Sequence, residues 1–168
     1  DFIFLEDDFS VSAAAGCYCE RHLSMLEEKV GRRLEREELV KILADTSEEA
    51  LTVKRAFADV KRESLVALAT KIQIAVEKSC PEIPIGLMQS GASERDGDMT
   101  EAVTKALAGE RHTPFVRIHG TFYCGFKAKQ LPAAMFNALY KTEHLPSDIL
   151  CYHESDSYPH TRFYSSGK

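Results

Sequence analysis

Four short apolar runs, each separated from the next by far more chain than a hairpin needs, constrain this sequence most. They are Phe2–Leu5, Ile83–Met88, Phe115–Ile118 and Asp148–Tyr152. Antiparallel neighbours can be joined by two residues, whereas parallel ones need a crossover of a dozen or more, usually helical. Every gap here exceeds that length and carries a helical pattern. The order strand, helices, strand, helix, strand, helix, strand predicts a parallel α/β sheet with right-handed crossovers. The strands are expected near residues 2–7, 83–89, 114–119 and 148–153, adjacent in that order. Phe2–Leu5 is continuously apolar, which suits a strand buried on both faces.

The helical segments follow from period and punctuation. Cys17–Val30 is closed by Gly31, and Arg36–Ala44 follows it. Ser47 offers an N-cap, with Glu48 and Glu49 in the first turn where the helix dipole favours them. Beyond it, Ala50, Val53, Phe57, Val60, Leu65, Leu68, Ile72 and Val76 recur at helical spacing, while Lys54, Lys61, Arg62 and Lys71 fall largely outside that stripe. Cys80-Pro81 ends this long helix. Met99–Ala108, closed by Gly109, and Leu131–Lys141 supply the remaining helices. Pro84 belongs at the start of its strand, where a missing N–H is tolerated.

At 168 residues and 44% hydrophobic, the chain can bury one sizeable core, so residues 1–168 read as a single α/β domain. A net charge of −5 argues against nucleic acid or an anionic membrane as the main partner. No apolar run approaches the roughly 20 residues that span a bilayer. Five cysteines without framework-like spacing read as reduced thiols and a cytoplasmic protein. The chain starts without Met inside an apolar strand, as an excerpt of a larger protein would.

The chemistry gathers at strand ends, where open α/β sheets and barrels bind ligands. Phe2–Leu5 runs into Glu6, Asp7 and Asp8. The later strand ends and loops bring Gln89 and Ser90, then His119 and Tyr123, then His153, Glu154, Asp156, Tyr158 and His160. Opposed carboxyls suit glycosidic cleavage, one protonating the leaving oxygen and the other attacking or activating water. Aromatic rings between them suit the apolar faces of sugars. An ordinary acidic turn after the first strand would carry the same Glu-Asp-Asp.

A second signal is Gly16-Cys-Tyr-Cys-Glu-Arg-His22. Cys17, Cys19 and His22 are soft ligands close enough in sequence to share one Zn²⁺, with a fourth ligand elsewhere. Two small buried thiols beside a helix-start histidine would give the same pattern.

An acidic strand end, a short loop and then Cys-Tyr-Cys-x-x-His leading into a helix resembles the retaining β-galactosidases of glycoside hydrolase family forty-two and their clan A relatives. The resemblance implies part of a TIM or (β/α)8 barrel, strands four to seven, within a larger catalytic domain. It implies Asp8 as acid/base, in place of a Glu, and Glu154 or Asp156, ahead of Pro159, as nucleophile. Glu6, Asp7, Gln89, His119, Tyr123, His153, Tyr158 and His160 would then contact a carbohydrate substrate. It further implies a structural zinc at Cys17, Cys19 and His22, with no cofactor for catalysis. Half a barrel has two bare sheet edges, so association between copies is expected. Two other readings stand beside this one. One is a non-catalytic barrel-derived domain that binds carbohydrate or protein. The other is a Mg²⁺-dependent phosphoryl-transfer domain of receiver type, suggested by the paired aspartates.

Overall fold

A computed structural model describes residues 1–6, 9–11, 16–89, 97–119 and 131–154. The elements run β1 (Ile3–Leu5), α1 (Glu20–Val30), α2 (Arg36–Ala44), α3 (Glu48–Ser79), β2 (Ile85–Gln89), α4 (Thr100–Ala108), β3 (Phe115–Ile118), α5 (Leu131–His144) and β4 (Leu150–His153). The four strands form one sheet in the order β1-β2-β3-β4, and every neighbouring pair is parallel. This is the α/β alternation expected from the four apolar runs. Pro84 sits just before β2, where its carbonyl accepts the Ile3 N–H at 2.9 Å.

Register sorts the side chains into two faces. Leu5, Leu87, Val116 and Cys151 are aligned across the four strands. With Ile85, Ile118 and Ile149 they pack against Leu65 and Ala69 of α3, Met99, Val103 and Leu107 at α4, and Ala138 of α5. Helices α3, α4 and α5 therefore cover the same side of the sheet. Crossovers all of one hand, linking strands laid down in order, give that result.

The opposite face carries Phe2, Phe4, Gly86, Met88, Phe115, Arg117, Leu150 and Tyr152. Here the expectation for Phe2–Leu5 needs correcting: Phe2 is 64% exposed and Ile3 39%. Among the described residues β1 is an edge strand with helices on one side alone, so its continuous apolar run does not mean burial on both faces. The rings of Phe2, Phe4, Phe115 and Tyr152 meet edge-on, Phe4 and Phe115 most closely at 5.0 Å between centroids. Such pairs contribute roughly 0.5–1.5 kcal/mol each beyond the area they bury. Gly86 makes room for this cluster, since a Cβ there would stand 2.3 Å from the Phe115 ring.

The long helix serves two cores. Its first half, through Val53, Phe57 and Val60, closes on Leu23 and Leu26 of α1, Leu34 and Leu39. Its second half turns Leu65 and Ala69 to the sheet. The Ser47 hydroxyl caps it by accepting the Ala50 N–H at 3.3 Å. Two positions of this helix differ from expectation, one within the stripe and one outside it. Leu68 is 47% exposed because Ala69 takes the sheet-facing place. Lys61 is buried, its stem lying along Phe57 with Nζ 5.7 Å from the ring centre. The first helix also starts at Glu20, not Cys17, because Cys19 has extended backbone and serves as its N-cap. Among the described residues no helix is long and apolar enough to cross a membrane.

Candidate functional site

The sheet ladder continues past β3 and β4 and fixes two of the expected strand-end residues. His119 N–H donates to the Gln89 carbonyl and Glu154 N–H to the Ile118 carbonyl, each at 3.2 Å. Alternation along the strands then turns His119 and Glu154 to the open face, the face of Arg117. There the Glu154 carboxylate accepts from Arg117 Nη1 at 2.9 Å and lies 3.0 Å from His119 Nδ1, both on Oε2. Arg117 also reaches Met88 Sδ at 3.3 Å. The Arg117 and Glu154 side chains are each 14% exposed, so this pair is largely withdrawn from water.

Sequence reasoning gathered the strand ends as one group, and the structure divides them. Glu154 and His119 stand together on the open face. Gln89 ends β2 on the helix-covered side, 1% exposed, aligned with Ile118. His153 lies on that side too, with Nε2 3.4 Å from the Thr142 hydroxyl of α5. Glu6 follows β1 directly and is exposed. Asp7, Asp8, Ser90, Tyr123, Asp156, Tyr158 and His160 lie outside the described residues. The larger cavity, about 510 Å³, is on the helix side between α4 and α5, where Gln89, Asn137, Lys141 and His144 line it. It does not include the Glu154 group.

Arg117 was not singled out from the sequence, although a signal existed. It is the one charge within Phe-Val-Arg-Ile, and it shares its face with His119 two residues on. A charged residue in a short apolar strand calls for a partner at the same level of a neighbouring strand.

The second site forms at the entrance to α1. Gly16 has φ +88°, and its missing Cβ lets the chain pass against the Phe57 ring. Tyr18 then stacks on Phe57 at 5.8 Å between centroids. In extended backbone that turns Cys17 and Cys19 to the opposite side. Cys19 is the N-cap, so His22 stands one turn on, with Nδ1 3.6 Å from Cys19 Sγ. The ligand atoms of Cys17, Cys19 and His22 all lie within 4.8 Å of one another, and this group could hold a metal ion. His22 Nε2 is 2.9 Å from the Ser64 hydroxyl of α3, which fixes the ring and leaves Nδ1 toward the thiols.

Electrostatics favour the ligand form at Cys19 and His22 and oppose it at Cys17. The His22 backbone N–H, followed by the Cys17 thiol, holds the Cys19 thiol below its usual value. The Cys19 N–H pulls Cys17 the same way, but burial and the neighbouring Cys19 outweigh it and leave Cys17 raised. Burial, then the charge of Arg21, keeps His22 below the ordinary histidine value, which favours neutral imidazole. Ser64 could not be found from spacing, because it is far along the chain on another helix.

Comparison with known protein families, curated proteins and solved structures finds no match. The assignment of function therefore rests on the two sites themselves.

Proposed function

We propose that this chain forms strands four to seven of a (β/α)8 glycoside hydrolase of clan A type, similar to the family forty-two β-galactosidases. Glu154 is its nucleophilic carboxylate and Asp8 its acid/base. The observation that carries this reading is the Glu154 group. A carboxylate withdrawn from water ends a parallel strand on the helix-free face, held by Arg117 and His119, with aromatic rings along the same face. In a barrel that face would be the interior, and the strand ends its mouth. The order β1-β2-β3-β4, with α3, α4 and α5 on one side, supports this and weighs against a receiver-type domain. Doubly wound sheets reverse their strand order and take helices on both faces.

In this reading Glu154 attacks the anomeric carbon while Asp8 protonates the leaving oxygen. Arg117 and His119 hold one carboxylate oxygen and so orient the group. Retention needs the two carboxyl groups roughly 5–5.5 Å apart, and inversion roughly 6.5–9.5 Å. The test is turnover of an aryl glycoside by the full-length protein. Glu154→Gln should abolish it while the circular dichroism spectrum stays unchanged. Full turnover in Glu154→Gln would move the role to Asp156, and full turnover in both variants would end the glycosidase reading.

The Arg117–Glu154 contact also favours a second reading, a barrel-derived domain that binds carbohydrate without cleaving it. A paired carboxylate can accept hydrogen bonds from sugar hydroxyls. Sugar affinity lost in Glu154→Gln, with no turnover in the parent, would select it.

The metal we assign to Cys17, Cys19 and His22 is a structural zinc. Tetrahedral Zn²⁺ with thiolate and imidazole ligands sets S and N about 3.5 Å apart. Cys19 Sγ and His22 Nδ1 lie 3.6 Å apart. Two sulfurs on one zinc stand about 3.8 Å apart, so ligand atoms that all lie within 4.8 Å of one another need contract by no more than about 1 Å. Zinc here would tie the entrance of α1 to α3 through Ser64, with no role in bond cleavage. Bound zinc should survive desalting, and Cys19→Ser should release it.

A further inference from the structure

Two of the three ligand residues, Cys17 and His22, stand at the wall of a cavity, and its composition says what the remaining coordination position receives. The cavity, about 300 Å³, is lined by Cys17 and His22 together with Ser10, Arg21, Ser64 and Lys71. Among the described residues, no carboxylate lines it. Among the described residues, Arg21 and Lys71 form no ion pair, whereas Lys29, Arg33 and Lys105 each pair with a glutamate. Arg21 is close enough for its charge to act on His22.

Charge counting gives the class of ligand. A divalent metal with two thiolates and a neutral imidazole carries no net charge. A fourth protein thiolate or carboxylate would make the site anionic, and among the described residues none besides Cys17 lines the cavity. Arg21 and Lys71, with no carboxylate among the described lining residues, instead favour an incoming anion. Hydroxyls of Ser10 and Ser64 add hydrogen-bonding groups to the same wall. We propose that Cys17, Cys19 and His22 form a three-residue metal site whose fourth position takes a small oxyanion, a carboxylate or phosphate, received by Arg21 and Lys71. This rests on the metal reading above and changes its character, from a closed structural site to one open to exchange.

The experiment uses Co²⁺, whose visible bands report coordination, on the full chain freed of metal. Stoichiometric Co²⁺ should bind with the intense bands of a four-coordinate thiolate site. Titrating inorganic phosphate, and in a separate arm acetate, should shift those bands saturably. In Arg21→Ala/Lys71→Ala the apparent Kd for the anion should rise at least tenfold, with Co²⁺ affinity changed less than twofold. A response to phosphate alone assigns the site to phosphates, and a response to acetate alone to carboxylates. Failure to bind Co²⁺ would overturn the metal reading and this inference together. Co²⁺ bands indifferent to both anions, or shifted equally in the double variant, would overturn this inference and leave the metal reading standing.

Discussion

The two faces of the sheet are built from the same strands and do opposite work. On the helix side, Leu87, Val116 and Ile118 are fully buried among aliphatic side chains. On the open side, one residue away along the same backbone, the rings of Phe2 and Tyr152 lie half in solvent and Arg117 meets Glu154. The covered face is a packing problem solved with Leu, Ile and Val, whose burial stabilises by roughly 1.5–3 kcal/mol each. The open face holds a buried ion pair, whose desolvation a stability-driven design would avoid. The contrast separates the part of the sheet that makes the fold from the part to which chemistry is proposed.

The sharpest way to break this comparison is to truncate equivalent residues on the two faces. Leu87→Ala should cost about 3–5 kcal/mol in urea unfolding, the range for a fully buried leucine that leaves a cavity. Tyr152→Ala, at a site 52% exposed, should cost about 1 kcal/mol or less. Equal losses would show that something covers the open face in solution. Next in size is the ion pair. Arg117→Met should cost about 2–3 kcal/mol, below the roughly 3–5 of a fully buried pair because both side chains keep 14% exposure. Adding Glu154→Gln to it should recover part of that loss, and strictly additive costs would show that the two groups do not interact.

The smallest expected effect lies outside both faces and serves as their control. The Ser47 hydroxyl, then the Thr46 and Ser47 N–H groups, hold the Asp45 carboxyl below its ordinary value. A carboxyl depressed in the folded state contributes stability that is present above its unfolded value, near 3.8, and lost as pH falls through the folded one. Asp45→Asn should therefore lose less stability than the parent below about pH 4, followed by helical circular dichroism. Leu87→Ala should leave the shape of that acid profile unchanged.

Much of the covered face was legible in the sequence, because local signals and tertiary demands agree there. Apolar runs, long crossovers, the Ser47 cap and the glycines after α1 and α4 mark the elements to within a few residues. The exceptions are instructive. Lys61 is buried because a long aliphatic stem satisfies a core contact as a leucine would. Leu68 stays 47% exposed while Leu65 and Ala69 of the same helix take the sheet-facing places. The open face was legible in part: Glu154 and His119 were identified, but Gln89 and His153 were grouped with them. Strand-end position places a residue at the carboxyl edge of the sheet, and only alternation says which side it faces. Ile85, Leu87 and Gln89 share one parity, as do Phe115, Arg117 and His119. The thiol–histidine group was readable from spacing alone, because an N-cap and the residue three later meet in any helix.

Helix α3 has a consequence for how the molecule reaches this state. Its 32 residues extend about 48 Å and belong to two cores at once. The contacts of its first half with α1 and α2 join residues near in sequence, whereas the sheet must bring Ile3 to Ile85. Local contacts form faster than distant ones, so the helical layer should assemble first and offer a rod on which the strands dock in turn. Lesions such as Phe57→Leu would then slow refolding, while lesions such as Val116→Ala would act mainly by hastening unfolding.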